Sequence, residues 1–317
     1  MLEVFFCNVG DGDAVLLIEH QDSCPDYVVL VDAGRQYLEP AEGSLRKEAI
    51  YHLKSRGIES IDLMILTHLH VDHIGCAVRI LNSLRVKKLS ALFVPPEDAE
   101  WVAPPPYLTE KPLNGLCCAL NIFSDIARTA RERGTVLECA ISGTVWLTDC
   151  LSMTVHLPRP EVIERHLSVC GVLYRGLFPE HDIWYRASKE RNLTSLMLRF
   201  RYAGRSILLT GDRYASDWEN EPAEPCDILK LPHHGDPKSM TRTLIERLHP
   251  SFAVISCQNS PDAKKDRPNA EILSLLQETV PNVMCTENRE MPTLGAATHN
   301  GIRFEIQSSG SVLWGTE

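Results

Sequence analysis

No stretch of this 317-residue chain approaches the ~20 consecutive apolar residues of a membrane-spanning helix. The first eight residues lack a basic segment and a small-residue cleavage site and enter an apolar, β-like run directly, so no signal peptide is expected. Together these absences predict a soluble, cytoplasmic protein with no membrane partner. The eleven cysteines contain no C-x-x-C pair and are odd in number, which argues against a disulfide framework and for reduced, buried thiols. Basic residues are outnumbered, 32 against 42 acidic ones, and the net charge of −10 excludes broad, non-specific binding to a nucleic-acid backbone. It does not exclude a polyanionic substrate, because bound divalent cations invert the local field. No internal repeat and no linker divides the chain, so one domain over residues 1–317 is expected, and no protein partner is evident.

The composition, 44% hydrophobic and 23% charged, is that of an ordinary globular protein. Strands are expected at residues 2–9 and 14–19, around the tight turn Gly10-Asp11-Gly12-Asp13, and at 27–31. Helical spacing follows at 45–56, then a buried strand at 63–66, a helix at 73–84 and a strand at 89–94. Residues 95–112 read as a long loop, 116–133 as an amphipathic helix, and 135–158 as short strands with Gly143 at a turn. Residues 161–189 show no clear period and are expected to be an insertion near the site. The second half repeats the pattern in type, with strands at 194–201, 206–210, 228–231 and 252–256, helices at 241–248 and 270–277, and terminal strands at 283–286, 301–306 and 312–314. Strands first and helices after, in two halves, predict an α/β protein of four layers, two mixed sheets between helices.

Chemistry concentrates in Thr67-His68-Leu69-His70-Val71-Asp72-His73, where three imidazoles and a carboxylate occupy six consecutive positions. At the end of a strand His68 and His70, two apart, share a face and can meet one metal. A turn into a helix then aims Asp72 and His73 at a second position close by. Nitrogen and oxygen donors suit Zn²⁺, with Mn²⁺ or Fe²⁺ as alternatives.

This motif resembles the H-x-H-x-D-H signature of the metallo-β-lactamase superfamily, and further segments match it in order. Val31-Asp32-Ala33-Gly34 resembles the aspartate turn that braces the metal loop. Leu208-Leu209-Thr210-Gly211-Asp212 resembles the strand ending in the aspartate that bridges two ions, and Leu231-Pro232-His233-His234-Gly235 the late histidine motif, with His234 the implied ligand. Val9-Gly10-Asp11-Gly12-Asp13-Ala14, Asn192-Leu193-Thr194-Ser195 and Ser239 are similar to the branch that holds the hydrolase domain of the ComEC DNA-uptake proteins. Only the hydrolase module is represented, so DNA transport is not implied.

The resemblance implies a metallo-β-lactamase fold and two divalent ions, Zn²⁺ or Mn²⁺, held by His68, His70, Asp72, His73, Asp212 and His234, with Asp32 behind them. It implies a hydrolase acting through metal-bound hydroxide on a small-molecule or nucleic-acid phosphodiester, Asp72 and Asp212 serving the reaction and His233 giving a proton or hydrogen bond to the leaving group. Two departures stand out. Asn192 occupies the place of a third histidine of the first site, for which His156, His166 and His181 are substitutes; Asp236 replaces a serine, which would weaken binding of anions. The lack of obvious basic anchors keeps open a carboxylic ester, lactone or thioester as substrate, and Asn192 a non-catalytic metal-containing module.

Overall fold

A computed structural model describes residues 1–38, 43–106, 108–258, 267–295 and 297–317. Among them the elements run β1 (Leu2–Cys7), β2 (Val15–Glu19), β3 (Tyr27–Val31), α1 (Ala49–Ser55), β4 (Ser60–Ile65), α2 (Val71–Ile74), α3 (Ala77–Ser83), β5 (Arg85–Ala91), α4 (Lys111–Glu132) and β6 (Val136–Cys139). Then follow β7 (Gly143–Trp146), β8 (Ser152–His156), α5 (Pro160–Leu173), α6 (His181–Lys189), β9 (Met197–Tyr202), β10 (Arg205–Leu209), α7 (Ala215–Trp218) and β11 (Ile228–Lys230). The chain ends with α8 (Arg242–Leu248), β12 (Phe252–Ile255), α9 (Ala270–Thr279), β13 (Asn282–Cys285), β14 (Gly301–Ile306) and β15 (Val312–Thr316).

The strands form two mixed sheets, ordered β15-β14-β1-β2-β3-β4-β5-β6 and β13-β12-β11-β10-β9-β8-β7. In the first, β3 through β6 are parallel; in the second, β10 through β13 are. Strand alternation decides which layer each side chain enters. Leu2, Val4 and Phe6 of β1 and Ile207 and Leu209 of β10 enter the core between the sheets, where Phe200, Met284 and Phe304 also lie. Phe5 and Cys7 face outward under α1, α3, α4, α5 and α6, while Leu208 of β10 and Leu229 of β11 face α7, α8 and α9. Each fully buried Leu, Ile, Val or Phe contributes roughly 1.5–3 kcal/mol, so three continuous cores hold the four layers in the order helix, sheet, sheet, helix.

Most expected elements form with shifted ends. The helix expected at 73–84 divides into α2 and α3 at Gly75, where a Cβ would lie 2.5 Å from the Gln36 backbone nitrogen. The stretch 161–189, expected to be an insertion near the site and without a clear period, is α5 and α6; Val169, Cys170, Leu173, Trp184 and Ala187 pack into the outer core. The loop expected at 95–112 ends two residues earlier, at the start of α4, and its Tyr107 lies outside the described residues. Among the described residues no helix is long and apolar enough to cross a membrane.

Candidate metal centre

The chemistry-bearing residues gather where parallel strands end, the usual position of ligand sites in open α/β sheets. Beyond β3 stands Asp32, beyond β4 the run His68 to His73, beyond β10 Asp212, and beyond β11 His233 and His234. The turn between β1 and β2 adds Asp11 and Asp13. Its Gly12 is required sterically: a Cβ there would lie 2.6 Å from the carbonyl oxygen of Asp72, which accepts the amide hydrogen of Asp13 at 3.1 Å.

Asp32 braces the metal loop. Its carboxylate accepts the backbone N–H and the hydroxyl of Thr67, both at 2.8 Å, and lies 2.7 Å from His73 Nδ1. The carboxylate thus keeps the Nδ1 hydrogen and turns Nε2 inward, the arrangement common behind metal-ligating histidines. Asp32 itself has φ +59°, an uncommon conformation for a residue with a side chain.

Two sets of donors face each other. His68, His70 and Asp212 form one, with ligand atoms within 4.8 Å of one another; Asp72, His73 and His234 form the other. The Nε2 of His68 is 2.8 Å from His70 Nδ1 and 3.6 Å from Asp212 Oδ2. The other oxygen of Asp212 is 3.4 Å from His73 Nε2, so one carboxylate addresses both sets. His234 Nε2 stands 3.7 Å from Asp72 and its Nδ1 faces the Ser256 carbonyl oxygen at 3.1 Å. His233, His234 and Gly235 all have positive φ, a strained left-handed run that delivers the imidazoles inward.

These residues fit divalent cations. Among the described residues the Nε2 atoms of His73 and His234 are buried with no hydrogen-bond partner, a costly arrangement unless something else is bound there. Burial pushes the His68 imidazole well down and that of His70 to about 3, leaving both neutral, the form that ligates a metal. Burial opposes a charge on His73 too, yet Asp212, Asp32 and Asp13 outweigh it and raise its pKa, which marks an excess of negative charge at the centre. The carboxylates of half-buried Asp72 and buried Asp212 are held well below the usual range despite desolvation, by the surrounding histidines.

Asn192 does not join the first set by a hydrogen bond. Its amide nitrogen lies 3.1 Å from the Tyr214 hydroxyl and 3.3 Å from His233 Nε2, while its oxygen is buried without a hydrogen-bond partner. Nor do His156, His166 and His181 enter any of the metal-capable groups among the described residues. His166 packs against Phe93 in the outer core, and His181 bonds to Glu110 on the surface. His233 faces two donors, Asn192 and, at 2.7 Å, Arg267, so its Nε2 is placed to accept.

Several residues at the centre were not singled out by the sequence. Asp13 approaches both His73 and His234, at 3.8 Å each, and is ion-paired with buried Lys230. Arg35 lies 3.5 Å from Asp11 and 3.7 Å from Asp72. The half-buried Arg191 guanidinium acts on His70 and Asp72. Cationic groups thus do surround the site, contrary to the expectation from the sequence. Asp236, expected to repel anions, is paired with Arg267 at 3.0 Å.

The chain has the metallo-β-lactamase fold, and a model described as the Metallo-beta-lactamase superfamily matches residues 11–116. It is 27% identical over 300 residues to ComE operon protein 3 of Bacillus subtilis, an alignment covering 90% of this chain and 32% of that protein, so the chain spans about a third of its relative. Among solved structures, the metallo-beta-lactamase fold protein YhfI from Bacillus subtilis is similar with a TM-score of 0.50 and 12% identity, covering 96% of this chain and 100% of YhfI. Tm1679, a metal-dependent hydrolase of the beta-lactamase superfamily, is 12% identical with a TM-score of 0.47 over the whole of both chains.

Proposed function

We propose that this protein is a dinuclear metal-dependent phosphodiester hydrolase. The observation that carries the reading is Asp212, whose two oxygens lie 3.4 Å from His73 Nε2 and 3.6 Å from His68 Nε2. One carboxylate between two donor sets is what a pair of ions requires. His68, His70 and Asp212 would hold one ion and Asp72, His73 and His234 the other, with Zn²⁺ favoured by the donor set and Mn²⁺ the alternative. When bound, such a pair supplies Lewis acidity toward a phosphoryl oxygen and makes water acidic enough to attack at neutral pH.

The chain's own residues do the rest. Asp32 fixes the tautomer of His73 and therefore which nitrogen faces inward. Ser195 fixes the backbone of Asp212 by accepting its N–H at 3.1 Å, and Asp212 Oδ1 accepts the N–H of His233 at 3.2 Å, so the late histidine loop is tied to the bridging carboxylate. Arg35, Arg191 and Arg267 favour an anionic substrate and remove the motive for preferring a neutral ester.

The test is turnover of an aryl phosphodiester by purified protein, with bound metal measured in parallel. Asp212→Ala is expected to lose at least about a thousandfold in kcat/KM and part of the metal. Equal turnover by the variant, or turnover of lactones and none of phosphodiesters, would refute the reading.

A further inference from the structure

The second face of His233 is occupied by Arg267. Its Nη2 lies 2.7 Å from His233 Nε2, which is in turn 3.9 Å from Asp212 Oδ2, so a single imidazole separates the guanidinium from the bridging carboxylate. The side chain is only 11% exposed, and its Nη1 is buried with no hydrogen-bond partner among the described residues. Its partner carboxylate, Asp236, takes Nη2 alone, at 3.0 Å. The backbone locks this position: Asn269 N–H donates to the Gly235 carbonyl at 2.9 Å. Gly235 leaves room for Pro268, whose Cβ would stand 2.7 Å from any Cβ added there. Desolvating a guanidinium is costly, and a buried donor with no partner, on the same guanidinium that touches His233, is what a bound anion would satisfy.

We propose that Arg267 is the anion-binding residue of the substrate site, its free Nη1 taking a non-bridging oxygen of a phosphodiester, and that Asp236 tunes it by neutralising part of its charge. The proposal rests on the phosphodiester reading and names the group that recognises the substrate's charge. Arg267 therefore selects a monoanionic phosphodiester over a neutral ester of similar shape.

The alternative is that Arg267 and Asp236 are only a clamp between two loops. Removing either partner breaks a clamp, so Arg267→Met and Asp236→Asn would then act in the same direction. An anion site gives opposite signs, because only the first variant removes the cation. The measurement is calorimetric binding of diethyl phosphate, a phosphodiester anion, and of neutral triethyl phosphate to the zinc-loaded protein. Arg267→Met is expected to weaken diethyl phosphate binding about tenfold or more, with Arg267→Lys recovering part and triethyl phosphate far less affected. Asp236→Asn is expected to tighten diethyl phosphate binding several-fold. Weakening by both variants, or no binding of diethyl phosphate by the wild type, overturns the proposal. Aryl phosphodiester turnover separates the two readings. Turnover that ignores Arg267 removes the anion site alone. Charge-dependent binding through Arg267 without any turnover removes the hydrolase reading and keeps the site.

Discussion

At the residue scale the proposed centre rests on Asp32, which stands behind the ligand residues rather than among them. Asp32 is buried and holds three groups, two from Thr67 and one from His73. Burial pushes its carboxyl up, and His73 opposes this. Asp32→Asn keeps the shape but offers an amide that can donate to His73 Nδ1, which permits the wrong tautomer. Metal affinity is expected to fall about 10–100-fold, with a smaller change in stability, and competition with a chromophoric chelator measures it. Unchanged affinity would remove Asp32 from the site. The six proposed ligands were legible because four are adjacent in sequence and the others sit in motifs that name them. Arg267, Arg35 and Lys230 were not, since a lone cation has no spacing and acquires meaning only from the carboxylate the fold places beside it.

At the element scale, the tight turn between β1 and β2 is part of the site rather than a connection. It presses on the metal loop through Gly12, and its Asp13 meets Lys230 at the end of β11. Gly12→Ala puts a methyl 2.6 Å from a backbone carbonyl that cannot swing away. The expected cost is about 1–3 kcal/mol, together with weaker metal binding, read by urea unfolding and metal titration. Gly171→Ala in α5 is the contrast, with nothing within 4 Å of the added carbon and a gain of about 0.5–1 kcal/mol in a helix interior. Equal effects would show that close approach is not what Gly12 provides. The strands and the long α4 were readable from apolar spacing. The pair α5 and α6 was not, because α6 buries only Trp184, Ala187 and Ser188 and the two are separated by a turn containing Gly176 and Pro179. So few apolar positions leave no period to detect in α6, whereas α5 buries Val162, Val169, Cys170 and Leu173 at helical spacing, a period the sequence does carry.

At the scale of the whole molecule, buried histidines lie in the outer helical layer as well as at the proposed metal centre, and both are expected to respond to acid. His52 in α1 and His166 in α5 lie in that layer, on the far side of the first sheet, and burial pushes the pKa of each down to about 4. A free imidazole titrates near ~6.5. Above that value both states are neutral and the full stability is present. Between about 6.5 and about 4 the unfolded chain takes up protons that the folded layer refuses, so stability falls as pH falls and these two groups add no further loss below that range. Each group contributes on the order of 3 kcal/mol at most over that window. His166 has an unpartnered Nδ1 and packs against Phe93, so an apolar replacement satisfies its surroundings. His166→Leu is therefore expected to flatten the decline of unfolding free energy between about pH 6.5 and pH 4. Urea titrations with chelator present throughout keep protonation of the metal ligands identical in both proteins. A variant whose stability declines as steeply as the wild type would place the acid-labile step at the metal centre and leave the outer layer indifferent to pH.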